Sequence, residues 1–109
     1  MPATLKVLGQ LAPNATTEGD LYTVAAATTA VASSVVICNR NSAAATFRVS
    51  VSVGGAATAT KDYLYYDVTL GGNDTFVATI GMSLGAADKV RVYGSTANLS
   101  YTLFGQEVT

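Results

Sequence analysis

The chain has 109 residues, half of them apolar and 12% charged, with a formal net charge of −1. That length holds one core, and six cations scattered along it make no basic stripe, which argues against direct nucleic-acid binding. With no histidine and a single cysteine, the commonest general base, Ser-His-Asp and Cys-His arrangements, cysteine zinc sites and an internal disulfide framework are all excluded.

Ordinary soluble domains carry roughly a quarter charged residues, so hydroxyl groups must wet most of the exposed surface here. Such a surface does little to repel its own copies. The composition suits a subunit packed against neighbours, and it suits a secreted or particle-bound surface protein equally.

In chain order, Leu5 to Leu8 is a short strand candidate ended by Gly9, and residues 9 to 19 form a loop of turn formers. Residues 1–8 are also read as an arm that docks on a neighbour. Leu21 to Val24 is the next strand. The alanine-rich stretch from Ala25 to Ser34 has no cap, charged face or apolar stripe at helical spacing. It reads as a turn around Ala26 to Thr28 and a strand from about Ala30, with a one-turn helix as the alternative.

Val35, Val36, Ile37 and Cys38 form an apolar run without strict alternation, as in a central strand covered on both faces, with Cys38 a small core residue. After the turn Asn39 to Ser42, Phe47, Val49, Val51 and Val53 alternate with Arg48, Ser50 and Ser52. That period of two means one dry face and one wet face. The two runs are read as a hairpin around which the other strands pair.

Gly54 and Gly55 turn the chain, and a small-residue connection leads to Tyr63 to Leu70. There Leu64, Tyr66, Val68 and Leu70 are assigned to one face, and Tyr63 and Tyr65 to the other. Thr75 to Ile80, Lys89 to Tyr93 and Leu99 to Phe104, the last running on towards Val108, complete the set, with glycine, asparagine and aspartate between them. About eight short strands and no long helix pattern predict an all-β fold: an antiparallel β-sandwich, jelly-roll-like. Residues 1–109 are expected to form one domain, with 1–19 as an extended arm and loop.

Nearly all the acids fall at turns and strand ends, where such residues usually bond nearby backbone. Gly71 to Asp74 lacks the ligand alternation of a calcium loop, and Gly54-Gly55 lacks the lysine of a phosphate loop. No catalytic residue, metal ligand or cofactor site is assigned. The first residues show no signal-peptide pattern and no run is long enough to span a membrane, so synthesis and assembly in a cytoplasm, without membrane insertion, are expected. Tyr63, Tyr65 and Tyr93 are taken as outward rings that mark an interface, together with Leu5 and Val7 of the arm; cross-strand packing is the plainer account of the tyrosines.

The segments Lys6 to Gln10, Leu21 to Val24, Val35 to Arg40, Tyr63 to Asp67, Asn73 to Phe76 and Leu103 to Val108 together resemble small virion structural proteins of tailed bacteriophages. The resemblance runs through nearly the whole chain and rests on strand and turn residues. Ala25 stands where such sequences usually carry a proline. It implies an all-β, non-enzymatic virion protein, trimeric or higher, packed on identical subunits and other phage virion proteins in the tail, baseplate or fibre apparatus. The alternatives are a capsid decoration protein and a carbohydrate-binding module that uses Tyr63 and Tyr65 as a stacking platform.

Overall fold

The computed structural model describes residues 2–109; Met1, the first residue of the expected arm, lies outside them. The strands are β1 (Ala3–Leu11), β2 (Gly19–Thr23), β3 (Thr29–Asn39), β4 (Ala45–Ser52), β5 (Tyr63–Leu70), β6 (Thr75–Ala78), β7 (Met82–Leu84), β8 (Lys89–Gly94) and β9 (Leu99–Val108). Two 3₁₀ turns, Val53–Gly55 and Thr60–Asp62, lie between β4 and β5. Among the described residues the fold is all-β, with nine strands in two antiparallel sheets.

The pairing is nested. β1 pairs with β9, β2 with β8, β3 with β6 and β7, and β4 with β5. The chain thus resembles one long hairpin, its tip between β4 and β5, that has been rolled up. Rolling brings β9 against β3 and β8 against β4. The outcome is one sheet of order β1-β9-β3-β6, with β7 also on β3, and a second of order β2-β8-β4-β5. This is the jelly-roll solution to closing an antiparallel β protein.

The expected hairpin of Val35 to Val53 does not form. β3 and β4 belong to opposite sheets, and residues 40–44 cross between them. The reason is that both runs have a dry side: in opposite sheets the two dry sides meet across the core instead of lying side by side. Val35, Ile37, Tyr101 and Leu103 from the first sheet and Phe47, Val49, Val90 and Val92 from the second are each no more than 1% exposed. Truncating a fully buried ring such as Phe47 costs about 3–5 kcal/mol.

Asn39 holds the crossing. Its buried Nδ2 donates towards the carbonyls of Ala43, Leu70 and Gly71 at 3.0, 3.2 and 3.2 Å, and its Oδ1 accepts the Asn41 N–H at 3.0 Å. Those bonds tie the β3–β4 crossing to the turn between β5 and β6. The two loops pass so closely that a Cβ at Gly72 would lie 2.0 Å from the Ser42 carbonyl oxygen, so only glycine fits.

Three further expectations are corrected. The expected arm and the start of the expected loop are the edge strand β1, whose ladder runs from Ala3↔Val108 to Leu11↔Tyr101; pairing on β9 satisfies backbone groups that an arm would leave to a neighbour. Cys38 is half-buried rather than a core residue, because β3 is covered on one face alone. Met82–Leu84 is an additional short strand, β7, that buries Met82 and Leu84 against β3.

Candidate functional site

Residues opposite one another in an antiparallel ladder project from the same side of the sheet. On the outer side of the β1-β9-β3-β6 sheet the register therefore aligns Leu5 with Gln106 and Val31, and Val7 with Phe104 and Ser34. Farther along come Gln10, Thr102, Val36 and Val77, then Ser100, Cys38 and Thr75. Register shifts between Val7 and Gly9 and between Ala32 and Ser34 let Leu8 turn into the core while Leu5 and Val7 stay outside. Leu5 is 80% exposed and Val77 59%, and Val7, Val31 and Phe104 are exposed as well. None of the described strand residues on this outer side is charged. Lys6 pairs opposite Gly105, and its Nζ bonds Glu107 at 3.1 Å.

The outer side of the β2-β8-β4-β5 sheet is built differently. The Arg48 guanidinium lies 4.3 Å from the ring centres of both Tyr66 and Tyr93. Its Nε and Nη2 donate to the two Asp67 oxygens at 2.7 and 3.3 Å. That pairing holds the Asp67 carboxyl below its usual range and raises the arginine. Tyr63 meets Tyr66 edge-on, with centroids 4.8 Å apart.

A bulge makes this cluster. Phe47 pairs with Val68 and Val49 with Tyr65, so Tyr66 and Asp67 together stand opposite Arg48. Asp67 takes a φ of 50°, a left-handed conformation that aspartate tolerates better than most residues. The extra residue flips the alternation. Tyr65, expected outside, turns inward against Phe47 and Phe76 at 6.2 and 5.3 Å. Tyr66, expected inside, turns out to solvent. Tyr63 and Tyr93 lie on the outer side. Arg48 and Tyr66 were not among the sequence candidates; the signal for them is Asp67, a charge interrupting an otherwise alternating strand.

Arg91, on the same side, anchors residues 53–62 across the sheet. Nη1 donates to the Ser52 hydroxyl at 3.0 Å, the Ala56 carbonyl at 2.6 Å and the Thr58 hydroxyl at 3.2 Å. Nη2 reaches the Gly55 carbonyl at 3.3 Å, and Nε bonds Asp20 at 2.9 Å. Lys89 shares Asp20 at 2.9 Å, and the hydrogen bonds from Lys89 and Arg91 hold the Asp20 carboxyl below its usual range. At the sandwich edge the Tyr22 hydroxyl donates to Glu107 at 2.5 Å, joining β2 of one sheet to β9 of the other. Burial first, then that bond, pushes the Tyr22 phenol up, while the same bond and Lys6 hold Glu107 down.

Among the described residues no group of three or more His, Cys, Asp or Glu side chains could hold a metal. The charges on the second face are engaged with one another or with backbone. What this arrangement offers is surface: one partly apolar face whose described strand residues carry no charge, with Arg40 bonded to Ser100 at its end, and one aromatic face with its charges paired.

The two sheet orders, β1-β9-β3-β6 against β2-β8-β4-β5, define a jelly-roll protein. No family model matches the chain, and no curated protein matches it. Solved structures do. A chain of the T13 particle of infectious bursal disease virus superposes with a TM-score of 0.56 and 12% identity, over 96% of this chain and 30% of that one. A chain of the Gx strain of the same virus gives 0.58 and 10%, over 97% and 32%. At that identity the likeness is one of fold, and this chain spans about a third of the length of those it matches.

Proposed function

We propose that the chain is a non-enzymatic structural subunit of a viral particle, working by packing against copies of itself and other particle proteins. The observation that carries this reading is the outer side of the β1-β9-β3-β6 sheet, where Leu5, Val7, Val31, Val77 and Phe104 are exposed with no charge among them. A contiguous apolar surface of that kind marks an association site. The jelly-roll likeness to chains of an icosahedral virus supports the particle role.

The finer placement, in the tail, baseplate or fibre apparatus of a tailed bacteriophage, rests on the sequence resemblance. A second placement, as a decoration protein on a head, is favoured by the origin of the T13 match, an icosahedral particle. The carbohydrate-platform alternative loses its geometry: Tyr65 packs inward, and Tyr66 and Tyr93 hold Arg48 between them. The test is quantitative mass spectrometry of purified particles produced from the genome that encodes the chain. Recovery at many copies per particle, in a tail or head fraction, is expected; absence from particles overturns the reading.

A further inference from the structure

Resting on that reading of the chain as a packed subunit, we infer that the uncharged side of the β1-β9-β3-β6 sheet meets the same side of a second copy, as an isologous two-fold, sheet-on-sheet dimer. Three considerations single out a second copy as the occupant.

The first is charge. A two-fold interface sets one patch against itself, residue i meeting j and j meeting i, so a face carrying unpaired charges of one sign repels itself. This face has none among its described strand residues; Arg40, just past β3 at one end, is engaged within the chain by the Ser100 hydroxyl and the Ala97 carbonyl, and the other polar positions are hydroxyls and amides: Ser34, Thr102, Gln10 and Gln106. These both donate and accept, so they can pair with themselves across a two-fold axis.

The second is area. Strands of 9 and 10 residues, β1 and β9, set the length of the face. At about 3.3 Å per residue and about 4.8 Å between four strands, the flat face covers roughly 600 Å² per partner. The dimer would bury roughly 1,200 Å², above the ~1,000 Å² that a specific interface has to clear.

The third is layout. Phe104 and Val36 lie on β9 and β3, the two inner strands, while Leu5, Val7 and Val77 lie towards the two edges. Apolar side chains thus occur on all four strands, with the hydroxyls and amides of β9 and β3 between them, so facing copies can set apolar groups against apolar groups and polar against polar. Packing two such faces at the usual ~10 Å sheet separation and about −30° puts Phe104 and Val36 in the middle. The other outer side makes a poor mate, because its Arg48, Arg91, Lys89, Asp20 and Asp67 are engaged within the chain.

The experiment is sedimentation of the whole chain over a concentration series, with Val31→Lys/Val77→Lys and Val77→Thr on the proposed face and Tyr66→Ser on the other. The wild type and Tyr66→Ser are expected as dimers with the same dissociation constant. The double lysine variant should weaken association at least about a hundredfold, with far-UV circular dichroism showing that it is folded. Val77→Thr preserves β-branching and side-chain volume, and should weaken association a few-fold without affecting folding. Raising salt from about 50 to about 500 mM should leave the wild-type constant within about twofold, since no ion pair is broken. A wild-type monomer at every concentration overturns the inference. So does an oligomer indifferent to Val77→Thr and the double lysine variant, or one that salt dissociates. These outcomes leave the particle-subunit reading standing on its own test, whereas absence from particles removes that reading whatever the oligomeric state.

Discussion

The two outer sides of the sandwich come from the same fold, yet they are finished in opposite ways. On the β1-β9-β3-β6 side the described strand residues are apolar, hydroxyl, amide or thiol, and the one guanidinium that reaches them, that of Arg40, bonds Ser100 at one end. On the β2-β8-β4-β5 side, Arg48 is stacked between two tyrosines and Arg91 fastens residues 53–62 over the sheet. The second side has satisfied itself internally; the first is left open. A sandwich needs only its inner faces to fold, so the outer ones are free to differ, and the difference shows which one is available to a partner.

The change expected to do most damage strikes the corner that both sheets share. Asn39→Ala removes a buried group with four hydrogen-bonding contacts and leaves carbonyls without their donor. It should lower stability by about 2–4 kcal/mol, read from the urea midpoint at unchanged slope. Arg91→Met tests the covered side alone. A loss of about 2–3 kcal/mol is expected, with faster amide exchange confined to residues 53–62 and the oligomeric state unchanged. Spread of the exchange into β3 would show that the two sides are not independent.

Tyr66→Ala removes one ring from the Arg48 stack and should cost about 0.5–1 kcal/mol. Acid separates the sides in another way. Asp20, Asp67 and Glu107 are held below their ordinary values of 3.8, 3.8 and 4.5. Their stabilisation is fully present above those values and is lost as the pH falls through the lower folded-state ones. Thermal scans should therefore be flat from neutral pH to about 5 and decline below about 4. Association through the uncharged side, which carries no carboxylate, should persist until the fold itself fails. Smallest of all, Val77→Thr should move monomer stability by no more than about 0.5 kcal/mol, so its effect on association is read cleanly.

Much of this fold was legible in the sequence. The alternation of Phe47, Val49 and Val51 with Arg48, Ser50 and Ser52 identified β4 and its inner side, and the valines of β8 did the same there. The turn near Ala26 is present, with Ala27 at a φ of 57° and β3 starting at Thr29. The candidate face was only half legible. Leu5 and Val7 are exposed, but on a paired edge strand rather than an arm. Tyr65 was misplaced because a period-two reading has no means of seeing an inserted residue: the bulge at Tyr66–Asp67 reverses the faces of Tyr65 and Tyr66, and a second register shift between Val49 and Ser50 returns Tyr63 to the outer side.

By itself, then, the sequence determined the all-β class and removed the chemistries that need histidine or a pair of cysteines. Strand alternation follows from the local geometry of an extended chain, and the absence of histidine needs no structure to be felt. What the tertiary structure alone decided was which strands share a sheet, that β3 and β4 face each other across the core, and which outer side is left open. Those outcomes depend on pairings such as Ala3 with Val108 and Phe47 with Gly94, between residues far apart along the chain, and no local pattern encodes them.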